Sequence, residues 1–251
     1  MPLVIMTALG VGGATVIGAL LGFIFKNTSH KQNDIILSFA AGVMLAAAVI
    51  GLIIPSLERG GKFSIIITVL GILSGAVCLN LADKLVPHLH KISGTDTEKH
   101  PERNERLGRV MLFVMAIAIH NLPEGIAAGV SFGTGNVAHA LTVAGGIALQ
   151  NIPEGMVIIA PMIAAGVSKK RTFIIALATG AVEVIGTFIG YFASGSAVFL
   201  PFALAFAGGT MLYVISDEMI PETHSHGVER ESTYSLLIGF CLMLVFDFLL
   251  G

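Results

Sequence analysis

The stretch H-N-L-P-E-G at residues 120–125 decides how this sequence is interpreted, because a close copy, Q-N-I-P-E-G, follows at residues 150–155. Both copies lie in the middle of long apolar stretches. A carboxylate that has no partner in the hydrocarbon core of a membrane costs at least a few kcal/mol. Two glutamates in such surroundings need a physical reason, and the simplest one is a bound cation.

The composition is that of a membrane protein. Of the 251 residues, 55% are hydrophobic and 12% are charged, and the mean hydropathy is +0.88. These values exclude a water-soluble domain, and about 20 apolar residues are enough to cross a bilayer. We therefore predict an all-α polytopic membrane protein in which residues 1–251 form one transmembrane transport domain. The eight predicted spans are residues 3–25, 35–57, 64–86, 109–132, 137–165, 172–194, 198–220 and 232–250.

The basic residues are distributed unevenly between the loops. Of the 14 Lys and Arg residues, all except Arg59 and Lys62 fall in loops that follow odd-numbered spans. Such residues concentrate in cytoplasmic loops, so the sequence predicts that both termini face outward and that a loop at residues 87–108 is cytoplasmic. The apolar run after Pro2 has no basic segment before it and no small-residue cleavage site, so we expect the first span to be retained. The expected location is the plasma (inner) membrane.

The chain also contains an internal repeat. The string V-I-G-x-x-x-G at residues 16–22 recurs at residues 184–190, and F-A-x-G-x-M-L at residues 39–45 recurs at residues 206–212. Spans one and two thus resemble spans six and seven, and with eight spans the paired segments cross the membrane in opposite directions. This 3+2+3 arrangement is the inverted repeat of many transporters, in which the substrate site lies at the repeat interface near the middle of the bilayer.

Each hexapeptide places a carboxylate and two further polar side chains on one face of a helix, since residues three and four apart are neighbours there. These residues are His120, Asn121 and Glu124 in the first copy, and Gln150, Asn151 and Glu154 in the second. Pro123 and Pro153 each free a backbone carbonyl, which is tolerated at membrane depth where it lines a polar cavity. The two motifs therefore predict a polar site within the bilayer.

A third carboxylate, that of Glu183 in span six, is predicted at the same depth, whereas the first repeat has Thr15 at the equivalent position. An imidazole together with carboxylate and amide oxygens suits Zn²⁺, Fe²⁺, Mn²⁺, Co²⁺ or Cd²⁺ better than Ca²⁺ or Mg²⁺. Three carboxylates roughly balance one or two divalent ions. Protons should neutralise them when no cation is bound, so we expect protons to compete with the metal or to be coupled to it.

The two hexapeptides in spans four and five, Glu183 in span six and the 3+2+3 pattern resemble the ZIP family of divalent-metal transporters, specifically its GufA-like branch. The resemblance covers nearly the whole chain. It implies a bundle of eight helices with a two-metal site, usually dimeric, that moves metal toward the cytoplasm by an elevator-like motion. The first metal would be held by His120, Glu124, Gln150 and Glu154, with Met44 nearby. The second would be held by Asn121, Glu124, Asn151, Glu154 and Glu183.

The sequence departs from a common pattern of this family in the second motif. Many members have histidine there, whereas this chain has Gln150 and the neutral Asn151. We therefore expect a broad divalent specificity rather than strict selectivity for zinc.

Other polar residues are predicted at the ends of the spans. A group at the inner side could relay or sense metal on the exit side, or could consist only of hydrated helix ends. Its members are Asp83, His88, His90, Glu218, Glu222, His224 and His226. At the outer side, Glu58 and Asp247 could draw cations inward by the field they add.

The sequence thus predicts a transporter for zinc and related divalent metals, with the metal as substrate, no cofactor and no catalytic residue. The expected partners are metal ions, the lipid bilayer and a second copy of the chain, and no nucleic acid. Two other functions stay open. One is an intramembrane metallohydrolase that activates water at the metal, although the chain has no H-E-x-x-H string. The other is a proton-coupled carrier of small organic ions.

Overall fold

The computed structural model of the protein describes residues 1–25, 29–92 and 101–250. The side chains of residues 30, 83, 85–92, 101–113 and 116 are outside the described part. Every regular element in these ranges is helical. The α-helices are α1 (Pro2–Ile24), α2 (His30–Ala46), α3 (Ile54–Arg59), α4 (Ser64–Ile92), α5 (Pro101–Ser131), α6 (Val137–Ala164), α7 (Lys169–Ala193), α8 (Leu200–Val214), α9 (Ile220–Thr223) and α10 (Glu229–Leu250).

Two π-helical segments interrupt the longer helices. The first, Ala47–Ile53, joins α2 to α3, and the second, Ile215–Met219, joins α8 to α9. Each is followed directly by an Ile-Pro pair, at residues 54–55 and 220–221. Proline cannot donate a hydrogen bond to the preceding turn, and π-helical segments occur frequently at functional sites.

Seven helical runs in the described part are long and apolar enough to cross a membrane. They are Pro2–Ile24, Lys31–Arg59, Gly61–Ala82, Val137–Ala164, Lys169–Ala193, Leu200–Thr223 and Glu229–Leu250. The predicted all-α, polytopic membrane fold is therefore confirmed. The count of eight stays a prediction, with α5 as the remaining span.

Several helices begin where the sequence provides a capping residue. The side chains of Ser29, Asn136 and Ser168 accept a backbone amide hydrogen bond at the starts of α2, α6 and α7, which satisfies an otherwise unpaired donor.

Helix α4 continues to Ile92 and α5 begins at Pro101, so both ends of the segment 87–108, predicted as a loop, are helical instead. Proline is favourable in the first turn of a helix, and the residues after Pro101 include several strong helix formers.

The helices pack as four close pairs. Helix α1 lies against α6, α5 against α7, α2 against α10, and α4 against α8. The helices α1, α5, α6 and α7 also contact one another and include both hexapeptides, and we refer to these four as the motif bundle. Helices α2 and α8 pack against this bundle, whereas α4 and α10 lie at the periphery with mostly exposed apolar windows.

The internal repeat governs how the helices approach each other. A Cβ atom at Gly18 of α1 would overlap the carbonyl of Ile152 in α6, and one at Gly186 of α7 would overlap the carbonyl of Leu122 in α5. Gly18 and Gly186 occupy equivalent positions in the repeat, and Ile152 and Leu122 occupy equivalent positions in the two hexapeptides. The same close approach is thus made twice, and small residues are what permits it.

The register of the contacts also gives the direction of the helices. Gly125 and Gly129 of α5 approach the carbonyls of Glu183 and Thr187 of α7. The residue numbers of the contacting positions increase together along both helices, so α5 and α7 run in the same direction. When successive spans alternate in direction, spans four and six run in the same direction. Helix α5 therefore lies alongside the membrane-spanning helix α7 in the orientation expected of span four.

We predict that Gly18→Ala lowers the stability of the protein, because the added methyl group cannot fit against the carbonyl of Ile152. Overpacking of this kind costs roughly 1–3 kcal/mol. Gly13→Ala in the same helix is the matched control, since a Cβ there meets nothing within 4 Å and alanine favours a helix over glycine by about 1 kcal/mol. Thermal unfolding in detergent should show a lower midpoint only for Gly18→Ala. Equal midpoints for both variants would contradict the close packing of α1 on α6.

Candidate metal centre

The polar side chains of the two hexapeptides converge inside the motif bundle. Pro123 and Pro153 lie within α5 and α6, so both motifs are built into continuous helices. The side chains of the motif residues and of Glu183 are all buried, with less than a tenth of each exposed. They are His120, Asn121, Glu124, Gln150, Asn151, Glu154 and Glu183.

The carboxylate of Glu183 on α7 is held by donors from three other helices. It accepts hydrogen bonds from the Nδ2 atoms of Asn121 at 2.6 Å and Asn151 at 2.5 Å. The hydroxyl of Thr15 on α1 donates to it as well. Such hydrogen bonds contribute about 0.5–1.5 kcal/mol each, and about 1.5–3 kcal/mol when the acceptor is charged. The repeat has a carboxylate at this position in one half and threonine in the other, and these two side chains are therefore in direct contact.

The two hexapeptides also contact each other. The Nε2 atom of Gln150 on α6 donates a hydrogen bond of 2.7 Å to the Oε1 atom of Glu124 on α5. Both side chains are completely buried. Gln150 of the second motif thus lies beside the glutamate of the first motif.

His120 contacts a residue that sequence analysis assigned elsewhere. Its Nε2 atom lies 2.8 Å from the Oε1 atom of Glu218, which was grouped with the inner-side cluster. Glu218 lies in the second π-helical segment. A π-helical segment turns side chains to a different side of the helix than an α-helix would. The sequence gives no direct sign of this segment except the Ile-Pro pair that both repeats share.

Four buried oxygen atoms of these residues have no hydrogen-bond partner among the described residues. A buried acceptor without a partner costs about 1–3 kcal/mol. All four are acceptors, and water or a cation can satisfy them. The atoms are Asn121 Oδ1, Glu124 Oε2, Gln150 Oε1 and Asn151 Oδ1. Together with the imidazole of His120, these oxygens form a ligand set that fits a borderline divalent cation.

In the described part of the chain, no three His, Cys, Asp or Glu side chains converge closely enough to hold a metal ion by themselves. Side-chain amide groups donate hydrogen bonds to two of the carboxylates instead. The amide nitrogens of Asn121, Gln150 and Asn151 face the carboxylates of Glu124 and Glu183. A bound ion would have to displace these donors or use the amide oxygens.

Met44 of α2 is fully buried and belongs to the main apolar cluster of the protein. A thioether in such a position packs well without a metal. Its role as a ligand stays a prediction.

The described members of the predicted inner-side cluster have separate partners. His226 lies 3.2 Å from the buried carboxylate of Asp34 on α2, a pair that sequence analysis did not find. The ring of His224 contacts the carbonyl of Ile220 and the hydroxyl of Thr233, and Glu222 is exposed. The side chains of three further members, Asp83, His88 and His90, lie outside the described residues.

A pocket of about 240 Å³ lies at the end of the second span that faces away from the inner-side cluster. Its lining includes Glu58, His139 and Asp247. His139 on α6 lies 3.9 Å from Asp247 on α10. Its other ring nitrogen lies 3.1 Å from the carbonyl of Gly51 in the first π-helical segment. This pocket, which we call the outer pocket, thus places two carboxylates, an imidazole and the guanidinium of Arg59 beside a backbone carbonyl.

An apolar helical bundle that buries repeated carboxylate and amide motifs among its central helices is characteristic of membrane transporters for ions. The chain matches the model of the ZIP zinc transporter family over residues 92–247. It is 41% identical to the zinc transporter GufA of Myxococcus xanthus, with 98% of each chain covered. The chain belongs to the ZIP family.

Two further relatives extend this comparison. The zinc transporter ZIPB of Bordetella bronchiseptica is 38% identical, over 95% of this chain and 78% of the relative. The human zinc transporter ZIP11 is 30% identical, over 95% of this chain and 94% of the relative. All three are named as transporters, so the chain belongs to a transport family rather than to an enzyme family. It is an integral, multi-pass membrane protein that transports divalent metal.

We predict that Thr15→Val destabilises the protein, because it removes a hydrogen bond to the buried Glu183 while keeping the shape of the side chain. Thr179→Val is the matched control, since the hydroxyl of Thr179 bonds only to a carbonyl of its own helix. A loss of about 0.5–1.5 kcal/mol, the range for an uncharged acceptor, should lower the unfolding temperature of Thr15→Val by a few degrees in metal-free detergent. If both variants unfold at the same temperature, Thr15 does not hold Glu183.

Proposed function

We propose that the protein carries zinc and related divalent transition metals into the cytoplasm through the buried site between α5, α6 and α7. The observation that carries this proposal is the set of four buried oxygens on Asn121, Glu124, Gln150 and Asn151 that have no partner in the described part of the chain. Such acceptors are destabilising alone and favourable beside a cation. The ZIP family relationship supplies the class of substrate.

The proposed ligands follow the two hexapeptides. One ion is held by His120, Glu124, Gln150 and Glu154, and Met44 is the candidate additional ligand. A second ion is held by Asn121, Glu124, Asn151, Glu154 and Glu183. The 2.7 Å contact between Gln150 and Glu124 supports the idea that the two motifs share an ion, because these side chains already meet across α5 and α6.

Ion binding exchanges one set of contacts for another. The incoming ion loses water and gains the carboxylate and amide oxygens, while the amide nitrogens turn away from the carboxylates. Protons on the glutamates compete with the ion, because either can neutralise a buried carboxylate. Release toward the inner side involves Glu218, whose contact with His120 offers the ion a carboxylate outside the hexapeptides.

The proposed motion is a sliding of the motif bundle relative to α2 and α8. The main apolar cluster, to which α1, α5 and α6 of the motif bundle contribute together with α2 and α8, contains many buried alanines, whose short side chains interlock little and so oppose sliding weakly. They include Ala40, Ala41, Ala47, Ala48, Ala127, Ala128, Ala203 and Ala207. An elevator-like movement needs a smooth interface of this kind.

The outer pocket is the proposed entrance for the ion. The carboxylates of Glu58 and Asp247 outnumber the one guanidinium in its lining, that of Arg59, and the remaining negative charge raises the local concentration of cations. In the proposed topology both termini face outward from the plasma (inner) membrane, so the ion moves from this pocket toward the cytoplasmic loops. A homodimer is part of the proposal, and the peripheral helices α4 and α10 offer exposed apolar faces for it.

We predict that Glu124→Ala and Glu154→Ala each abolish uptake of radioactive zinc into proteoliposomes, since each removes a carboxylate that both ions would share. Glu229→Ala is the control, because Glu229 is exposed at the start of α10 and should not affect flux. Circular dichroism must show folded protein for all three. Unchanged flux in both site variants would refute the assignment, and quenching of flux by an organic solute instead of metal would favour the organic-ion carrier.

The second motif predicts a broad specificity. An excess of Cd²⁺, Co²⁺ or Mn²⁺ should reduce zinc uptake, whereas Ca²⁺ and Mg²⁺ at the same concentration should not, because they favour shells made only of oxygen. Gln150→His should increase the preference for zinc over manganese, since imidazole suits zinc better than an amide oxygen does. The same uptake assay measures both effects. Equal inhibition by Ca²⁺ and Cd²⁺ would contradict the proposed ligand set.

A further inference from the structure

A groove of about 380 Å³ opens on the surface of the motif bundle, away from the buried site. It lies where the last turns of α1 meet the first turn of α7. Leu20 and Phe23 of α1 line it together with Lys169, Lys170 and Phe173 of α7. Every lining residue is therefore either cationic or apolar.

The groove lies at the boundary of the membrane. The spanning run of α1 ends at Ile24 and that of α7 begins at Lys169, so the two lysines mark the point where both helices leave the apolar zone. In the topology predicted from the loop charges this is the cytoplasmic side. Anionic lipids give the cytoplasmic leaflet its negative surface potential.

The first turn of α7 adds to the positive charge of the lysines. The side chain of Ser168 accepts a hydrogen bond from the backbone amide of Arg171. The backbone amides of Lys169 and Lys170 point out of the helix end, where they have no acceptor within the helix. A helix N-terminus attracts anions. Two ammonium groups and the start of a helix thus meet above an apolar floor formed by Phe23, Phe173 and Leu20.

This combination of a cationic rim and an apolar floor matches a molecule with an anionic head and a hydrocarbon tail. An inorganic anion would use only the rim, and a neutral phospholipid would not use the charge. We infer that the groove binds an anionic phospholipid of the inner leaflet. Its phosphate contacts Lys169 and Lys170, and an acyl chain lies along Phe23 and Phe173. This site goes beyond metal transport and does not depend on the proposed ligands; only the choice of leaflet rests on the proposed topology.

The lipid site also has a structural connection to the motif bundle. Helices α1 and α7 contact each other through Gly12 and Gly180, and the hydroxyl of Thr15 on α1 donates a hydrogen bond to Glu183 on α7. The two helices that line the groove are therefore the same pair that the Thr15–Glu183 hydrogen bond joins.

The test uses a fluorescent reporter, because the chain has no tryptophan and a single introduced one gives an unambiguous signal. Phe173→Trp places the reporter on the groove floor. Phe192→Trp places it at the other end of α7, on an exposed apolar position. Each full-length protein is reconstituted in vesicles of phosphatidylcholine with a minor fraction of brominated phosphatidylglycerol or, in parallel, of brominated phosphatidylcholine.

We expect brominated phosphatidylglycerol to quench Phe173→Trp more strongly than brominated phosphatidylcholine does, and both lipids to quench Phe192→Trp equally. Adding Lys169→Gln and Lys170→Gln should remove the preference, with a roughly tenfold or greater loss of apparent affinity, since each lysine near an anionic surface contributes about fivefold. Arg171→Gln, on the same turn but not lining the groove, should keep it.

Three outcomes would overturn the inference. One is equal quenching of Phe173→Trp by the two lipids. Another is an unchanged preference after both lysines are replaced. The third is that inorganic phosphate at physiological concentration abolishes the preference, which would assign the rim to a soluble anion. Because quenching is read from folded protein in vesicles, zinc uptake by the same vesicles provides the check that Phe173→Trp is intact.

Discussion

The carboxylate of Glu183 must be stabilised inside an apolar bundle, and the rest of the central structure follows from how this is done. Its donors come from α1, α5 and α6, so one side chain fixes four helices relative to each other. Without those donors, burial of the charge would cost several kcal/mol. The glycines of α1, α5 and α7 bring the backbones close enough for these short side chains to meet. The same closeness lets Gln150 reach Glu124, so the two hexapeptides form one polar region.

The internal repeat explains why the site is asymmetric although the scaffold is not. Equivalent glycines make equivalent contacts in both halves, so the backbone framework is nearly two-fold. The polar positions break that symmetry, because threonine in one half faces glutamate in the other and histidine in one motif is replaced by glutamine in the second. Because the framework is symmetric and the side chains are unequal, the two neighbouring ligand sets differ in charge and in chemical hardness. This is the physical basis for treating the two metal positions as inequivalent in the proposed function.

Much of the fold could be predicted from the sequence, because hydrophobic runs, loop charges and repeated strings report directly on membrane spans and their order. The burial of Glu124 and Glu154 also followed from their place in apolar stretches. Three contacts could not be predicted. Glu218 reaches His120 through a π-helical segment, Asp34 meets His226 from a distant part of the chain, and His139 meets the carbonyl of Gly51, freed in another π-helical segment. Each depends on backbone irregularity or on tertiary packing, which no local pattern encodes. The ends of the segment 87–108 were misjudged because charged residues favour solvated helices as well as loops.

The central claim is that glutamates from α5 and α6 share a metal ion inside the bundle. Anomalous X-ray diffraction from crystals of the protein grown with zinc, measured on both sides of the zinc absorption edge, tests it most directly. The account predicts an anomalous peak between α5 and α6, with the carboxylate oxygens of Glu124 and Glu154 at about 2.0–2.2 Å from it, and loss of this peak in Glu124→Ala. Zinc found only in the outer pocket or at the inner histidines, with the amide hydrogen bonds to Glu124 and Glu183 unchanged, would contradict it.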